Sequence, residues 1–349
     1  MTSLKEYVEK LDCADEAERT YAAEDIGYLN SEDGVPPLLA RVGKEPSRAV
    51  RDAIFQSLIR IDSDAVIEGS IGLLQSDDPQ IRNQAVDLLR CKGAASIPFL
   101  ETVMREGDKD LRKLVLDVLS SAPASGAEAI YEAALSDEDP NVVMTAVENI
   151  GKHGATRFRS RIEDLLEAEL HPMLAGACLD ALAGIGNELS LAAIRRRFPG
   201  TATLPDFLLR PCLKAIGNLG TADEFAELAG LLTTRGTHLR PAILGALTAI
   251  RQRYRGQACD ADLLPALQKV VEDGETALCR YQAVRALAFL SSRDDVYAFL
   301  LLCLSHPERM VRLGAIESLR EKERPELTIA LASRLAEETD VEVREALKV

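Results

Sequence analysis

Tryptophan is absent from this 349-residue chain, and aromatic residues of all kinds make up only 4% of it. Bulky rings therefore cannot fill the interior. Leu, Ala, Val and Ile must supply the packing, which suits closely stacked helices and suits a sheet poorly. Disulfide chemistry is equally thin. The seven cysteines, Cys13, Cys91, Cys178, Cys212, Cys259, Cys279 and Cys303, are odd in number and scattered, and no two form a C-x-x-C pair. That argues against a disulfide framework and against a zinc site. Positive charge is also short: 41 Lys and Arg face 56 Asp and Glu, a formal net charge of −15. Nucleic-acid affinity rests mainly on neutralising phosphates, so general DNA or RNA binding is disfavoured, as is attraction to anionic membranes. The longest apolar run, 296–304, is too short to cross a bilayer, and residues 1–7 hold no signal-peptide core. A reduced, cytoplasmic protein that does not enter a membrane is the expectation.

What the chain has in plenty is apolar material, 47% of its residues, laid out in a repeat. In the stretch Asp77-Asp78-Pro79-Gln80-Ile81-Arg82-Asn83-Gln84-Ala85-Val86-Asp87-Leu88-Leu89, an Asp-Pro stop precedes an apolar-Arg pair, and apolar or small residues follow three, four and seven places later. With Arg82 as the register mark, the equivalents are Arg19, Arg51, Arg112, Val143, Ala175, Leu209, Arg240, Arg280, Arg312 and Arg344. The intervals are 32, 31, 30, 31, 32, 34, 31, 40, 32 and 32 residues. Self-similarity at such a period marks a solenoid. Offsets 0, 3, 4 and 7 share one helical face, so each mark begins a B helix. A second amphipathic stretch, the A helix, precedes it, at 35–42, 65–74, 97–104, 127–135, 159–166, 189–197, 223–232, 263–271, 296–304 and 326–335. The predicted fold is all-α, an α-α superhelix of about ten to eleven helix pairs forming one solenoid over 1–349. The long intervals place extra residues at 198–205 and 251–260, read as tolerated surface insertions.

The pattern D-x-x-x-V-R followed by A-x-x-x-L resembles HEAT repeats, specifically the short HEAT-like repeats named for the phycobilisome lyases. It is carried by Asp77-Asp78-Pro79-Gln80-Ile81-Arg82, by Pro307-Glu308-Arg309-Met310-Val311-Arg312 and by Asp340-Val341-Glu342-Val343-Arg344. The resemblance implies that the mark arginines pair with Asp in a ladder through the stack. That is a structural role for Arg19, Arg51, Arg82, Arg112, Arg240, Arg280, Arg312 and Arg344. It implies little about function, because this repeat hosts scaffolds, adaptors, bilin lyases, a hydroxylase and DNA glycosylases.

No catalytic constellation emerges. The iron-dependent hydroxylases of this fold bear His-Glu pairs, whereas His153, His171, His238 and His306 stand apart in loops or at helix starts, none followed by Glu. No metal site and no cofactor are expected, and no phosphate-binding glycine loop or nucleophile elbow is present. A phycobilin lyase-like or other cofactor-attachment role is the enzymatic alternative that the resemblance invites, but a tetrapyrrole calls for aromatic neighbours that the chain lacks. Nucleic-acid binding would rest on three basic clusters, Arg157-Phe158-Arg159-Ser160-Arg161, Arg195-Arg196-Arg197 and Arg251-Gln252-Arg253-Tyr254-Arg255. Charge balance at helix ends explains them more simply.

The fifth residue after each mark lies about 140° round the helix, away from the packed face. It reads Glu24, Gln56, Asp87, Asp117, Glu148, Asp180, Lys214, Gly245, Arg285 and Glu317. None is large and apolar, so this column is expected to face solvent. Its first six members, acidic or amide, form the candidate surface for a basic segment of a protein partner. The chain thus reads as a non-catalytic scaffold or adaptor.

Overall fold

The computed structural model describes residues 4–121, 126–168, 171–254, 263–274, 276–290, 294–321 and 327–348. Among them there is no strand, and twenty-two α-helices alternate as eleven A–B pairs. The chain divides into two compact units, Met1–Ala155 and Thr156–Val349.

In the first unit the A helices are Leu4–Lys10, Val35–Val42, Asp64–Leu73, Ile97–Glu106 and Glu128–Ala134. The B helices are Glu16–Leu29, Arg48–Arg60, Pro79–Lys92, Lys109–Leu119 and Pro140–His153, and each packs against the next. The Asp stops are N-caps: the carboxylates of Asp15, Asp78, Asp108 and Asp139 accept backbone N–H groups of the first turn, while Pro79 and Pro140 occupy N1, where no N–H is needed. Gly154 ends the last of these helices in the left-handed conformation, at φ 65°. The packed face follows the repeat. Ala22, Ile54, Ala85, Val115 and Ala146 at the third offset, and Ile26, Leu58, Leu89, Leu119 and Ile150 at the seventh, are all buried. Each such Leu or Ile stabilises the stack by roughly 1.5–3 kcal/mol relative to exposure. The first A helix was not among the predicted ones, although Leu4, Tyr7, Val8 and Leu11 carry its apolar spacing and pack on the core.

The second unit repeats the plan. Its A helices are Arg159–Glu167, Glu188–Arg197, Asp223–Thr234, Leu264–Asp273, Asp294–Cys303 and Leu327–Glu337. Its B helices are Pro172–Ile185, Asp206–Leu219, Arg240–Arg253, Ala277–Leu290, Arg309–Arg320 and Val341–Leu347, again packed in succession. Cys178 and Cys212 fill the third offset as small hydrophobes, and burial pushes both thiols up to about 12. Helices approach closely where glycine faces the neighbour: a Cβ on Gly217 would stand 2.8 Å from the Cα of Ala246.

The extra residues of the 34-residue step are not a loose surface loop. Thr201 is fully buried, its N–H and hydroxyl donate to Glu227 Oε1 at 2.8 and 2.6 Å, and Leu204 is buried beside it. A polar residue with both donors satisfied can be buried at little cost, and this one anchors the link. Of the other insertion, residues 255–260 lie outside the described residues.

Candidate functional site

The fifth-offset column faces solvent throughout. Gln56, Asp87, Glu148, Asp180, Lys214, Gly245 and Glu317 are exposed, and Glu24, Asp117 and Arg285 are half-buried. Its two ends differ in what they meet. In the second unit Lys214 Nζ lies 2.8 Å from Asp180 Oδ1, and Arg285 Nε lies 3.4 Å from Glu317 Oε2. These members neutralise one another. In the first unit, among the described residues, Asp87 pairs only within its own helix, with Arg90 at 2.9 Å. Burial raises the pKa of Asp117 against the pull of Lys113 and Arg90. Among the described residues the side chains of Glu24, Gln56 and Glu148 make no bond, so they are free to meet another molecule.

Five mark arginines, Arg19, Arg82, Arg112, Arg312 and Arg344, share a posture, with Nη1 donating to a backbone carbonyl five or six residues earlier. Arg19 Nη1 donates to the carbonyls of Cys13 and Ala14 at 3.0 and 2.9 Å, and Arg312 Nη1 donates to those of His306 and Pro307, both at 3.0 Å. The opposite edge of the guanidinium then takes a carboxylate in fork geometry. Arg19 Nε and Nη2 donate to Glu45 at 2.9 and 3.0 Å, and Arg312 donates to Glu338 at the same two distances. Arg112 donates likewise to Asp137 at 2.6 and 2.8 Å. Bidentate pairs of this kind are the strong ones. Burial alone would push the carboxyls of Glu45 and Glu338 up, yet hydrogen bonds from arginines and backbone N–H groups outweigh it and hold both at about 2.

In these three rungs the partners are not the capping aspartates. They stand six residues before the next mark: Glu45 before Arg51, Asp137 before Val143, Glu338 before Arg344. That spacing was legible in the sequence, but carboxylates are so abundant that it did not stand out. Nor is the ladder unbroken. Arg51, which has Ser76 at that position, reaches Asp78 at 3.3 Å, and Arg280 comes no nearer than 3.8 Å to Glu308. Arg344 Nη1 donates to the carbonyl of Glu338. Arg240 buries its Nε and Nη1 with no hydrogen-bond partner among the described residues.

Arg82 departs furthest. Its Nη1 donates to the carbonyls of Ser76 and Asp77 at 2.6 and 3.2 Å, the shared posture. Among the described residues no carboxylate pairs with its Nε–Nη2 edge. Glu106 stands at the expected six residues before Arg112, but the interval from Arg82 to Arg112 is 30 residues, the shortest of the ten, and Glu106 is the last residue of its A helix. It pairs with exposed Arg105 at 3.5 Å instead. Arg82 lines an open groove of about 650 Å³ between the helices Pro79–Lys92 and Lys109–Leu119, with Asp77, Asp108, Asp110, Lys113 and Asp117. Leu111 and Leu114 give it an apolar floor.

The basic clusters are largely absorbed by the fold. Arg195 pairs with Glu227 at 2.8 Å and Arg196 with Glu167. Arg253 donates to the carbonyls of Gly217 and Gly220, and Arg251 to that of Phe289. Arg159 faces Glu163 at 3.7 Å; Arg255 lies outside the described residues. His153 closes a helix rather than opening one, its Nε2 3.2 Å from the Leu119 carbonyl. Among the described residues no group of three or more His, Cys, Asp and Glu is placed to hold a metal ion, and no helix is long and apolar enough to cross a membrane.

A family model for HEAT repeats matches residues 4–90 and 264–348; it describes the repeat in general and does not single out the lyase-type subset. No curated protein matches the chain. Solved structures of the karyopherin Kap121p match over nearly its whole length. In the one bound to the extreme C-terminus of the protein phosphatase Cdc14p, 98% of this chain covers 48% of the other at 12% identity and a TM-score of 0.54. In the one bound to Pho4p, 99% covers 45% at 12% identity and a TM-score of 0.56. This chain thus spans about half the length of the karyopherin chains, and identity that low speaks to fold alone.

Proposed function

We propose that this chain, which belongs to the HEAT-repeat family, is a protein-binding scaffold without catalysis of its own, and that its first unit captures a basic segment of a partner protein. The observation that carries the reading is the column of Glu24, Gln56, Asp87, Asp117 and Glu148, each exposed or half-buried and one from each of five successive B helices, with no cation among the described residues paired with Glu24, Gln56 or Glu148. Asp180 continues the column in sequence, but Lys214 neutralises it. Four carboxylates and one amide on consecutive helices favour an extended cationic ligand through complementary charge, which speeds encounter and fixes register. That the neighbouring karyopherin structures hold protein segments is in keeping with such a role.

The test is charge reversal. Anisotropy of a labelled Lys/Arg-rich peptide should report binding to the full chain that weakens as salt rises. Asp87→Lys, Asp117→Lys and Glu148→Lys combined should weaken it at least tenfold, with the thermal melt unchanged. Equal binding by the wild type and the triple variant overturns the reading.

A further inference from the structure

The geometry points to Arg82 as the anchor for a carboxylate of the partner: an Asp or Glu side chain, flanked by Lys or Arg, completes in trans the rung that the shortened repeat leaves open. The inference rests on the reading of a protein partner and names what one residue of that partner must be.

The chain itself supplies the reference. In Arg19 and Arg312 the same Nη1 anchorage on two backbone carbonyls presents the Nε–Nη2 edge, and that edge receives a carboxylate at 2.9 and 3.0 Å in both. Arg82 is anchored in the same way but has no ion pair among the described residues. A guanidinium held in plane has lost its rotational freedom before any ligand arrives, so a bidentate acceptor meets a pre-organised fork. The missing partner is a matter of link length. In the rungs of Arg19 and Arg312 the carboxylate lies 26 residues after the arginine, and in that of Arg112 it lies 25 after it. At those distances from Arg82 stand Asp108, whose Oδ1 is already engaged as the N-cap by the N–H groups of Asp110 and Leu111 at 3.0 and 2.9 Å, and Gly107, which has no side chain to offer.

The surroundings decide which anion fits. Asp77, Asp108, Asp110 and Asp117 line the same groove against Arg82 and Lys113. A polyanion such as nucleic acid would meet four carboxylates for two cations. A single carboxylate within a cationic segment meets the fork while its neighbours meet the aspartates, and the leucine floor accommodates the aliphatic stems. The groove therefore reads an alternating pattern, cation–acid–cation, rather than a uniformly basic run.

The experiment uses the full chain and five amidated peptides: Lys-Arg-Ser-Glu-Ser-Arg-Lys, its Gln and phosphoserine counterparts at the central position, an all-cationic version and a neutral one. In calorimetry the Glu peptide should bind about tenfold more tightly than the Gln isostere, the worth of a charge-assisted pair. Arg82→Gln should erase that preference with the melt unchanged and leave the all-cationic peptide bound. Arg82→Lys, which keeps the charge but not the fork, should lose most of it. Equal affinity for Glu and Gln peptides overturns the inference and, if the all-cationic peptide still beats the neutral one, spares the acidic-column reading. Persistence of the preference in both variants overturns it too, as does a phosphoserine peptide that outbinds the Glu peptide. Failure of every charged peptide to bind overturns both readings.

Discussion

Replacing Glu45 by Gln is the sharpest probe of what holds the first unit together. The side chain is 3% exposed and receives Nε and Nη2 of Arg19, Nε and Nη2 of Arg41, and the N–H of Ser47. Glutamine keeps the volume but has one oxygen and no charge, so Arg19 loses its counter-ion and Arg41 keeps only the exposed Asp12, at 3.0 Å. The carboxyl is held at about 2 against an ordinary 4.5, and at about 1.4 kcal/mol per unit the charged form contributes about 3 kcal/mol. Mutational losses for one partner of a buried pair fall in the same range, about 3–5 kcal/mol. The pH dependence has a definite sign. Below 4.5 the unfolded chain takes up a proton that the folded chain refuses, so the contribution is complete above about pH 5, declines as pH falls and is gone below about pH 2. Glu45→Gln should therefore lower stability at pH 7 and flatten the acid limb between these limits. Urea titrations at several pH values, with hydrogen exchange followed in the helix Arg48–Arg60, check both. A variant within about 0.5 kcal/mol of wild type, or one with an unaltered acid limb, would refute the reasoning.

Other perturbations follow from the same packing. Gly27→Ala would put a Cβ 2.7 Å from Ser57 Cβ, where two B helices cross, and should cost about 1–3 kcal/mol in urea denaturation. Gly230→Ala, inside the helix Asp223–Thr234 with open space around the new methyl, should instead stabilise by about 0.5–1 kcal/mol. Asn187→Ala removes a capping box in which Asn187 accepts the N–H groups of Leu189 and Ser190 at 2.9 and 3.2 Å. It should cost about 1 kcal/mol and raise exchange rates in the first turn of the helix Glu188–Arg197.

The helix pairs were legible because their cause is local and recurs. A face that must be buried imposes apolar residues at offsets 0, 3, 4 and 7, and eleven copies of the demand make the pattern unmistakable. The solvent face of the B helices could be read from the same geometry, as the exposure of Asp87 and Glu148 shows. Side-chain partners were harder, because they depend on how links bring distant residues together. Nothing local tells Glu45, which seals a rung, from Glu106, which ends a helix in solvent. Glu45 lies 26 residues after its arginine whereas Glu106 lies only 24 after Arg82, and two residues span up to about 7 Å of chain. The 30-residue interval was visible, but its effect on Arg82 needed the intact rungs of Arg19 and Arg312 for comparison. The link 198–205 looks like a surface insertion for a related reason: the partner that makes the burial of Thr201 tolerable, Glu227, comes from the following A helix.

The short link before Asp108 bears on how such arrays acquire new specificity. Shortening the link between two helices removes the carboxylate of one rung while the cap at Asp108 stays in place. On the inference drawn above, an arginine held in the posture of the closed rungs then becomes a receptor for a partner's carboxylate. Recognition gained this way begins as an omission, with the geometry of binding inherited ready-made from the geometry of folding. Across a family of repeats, intervals one residue below the norm are therefore the places to look first for surfaces that have begun to recruit partners.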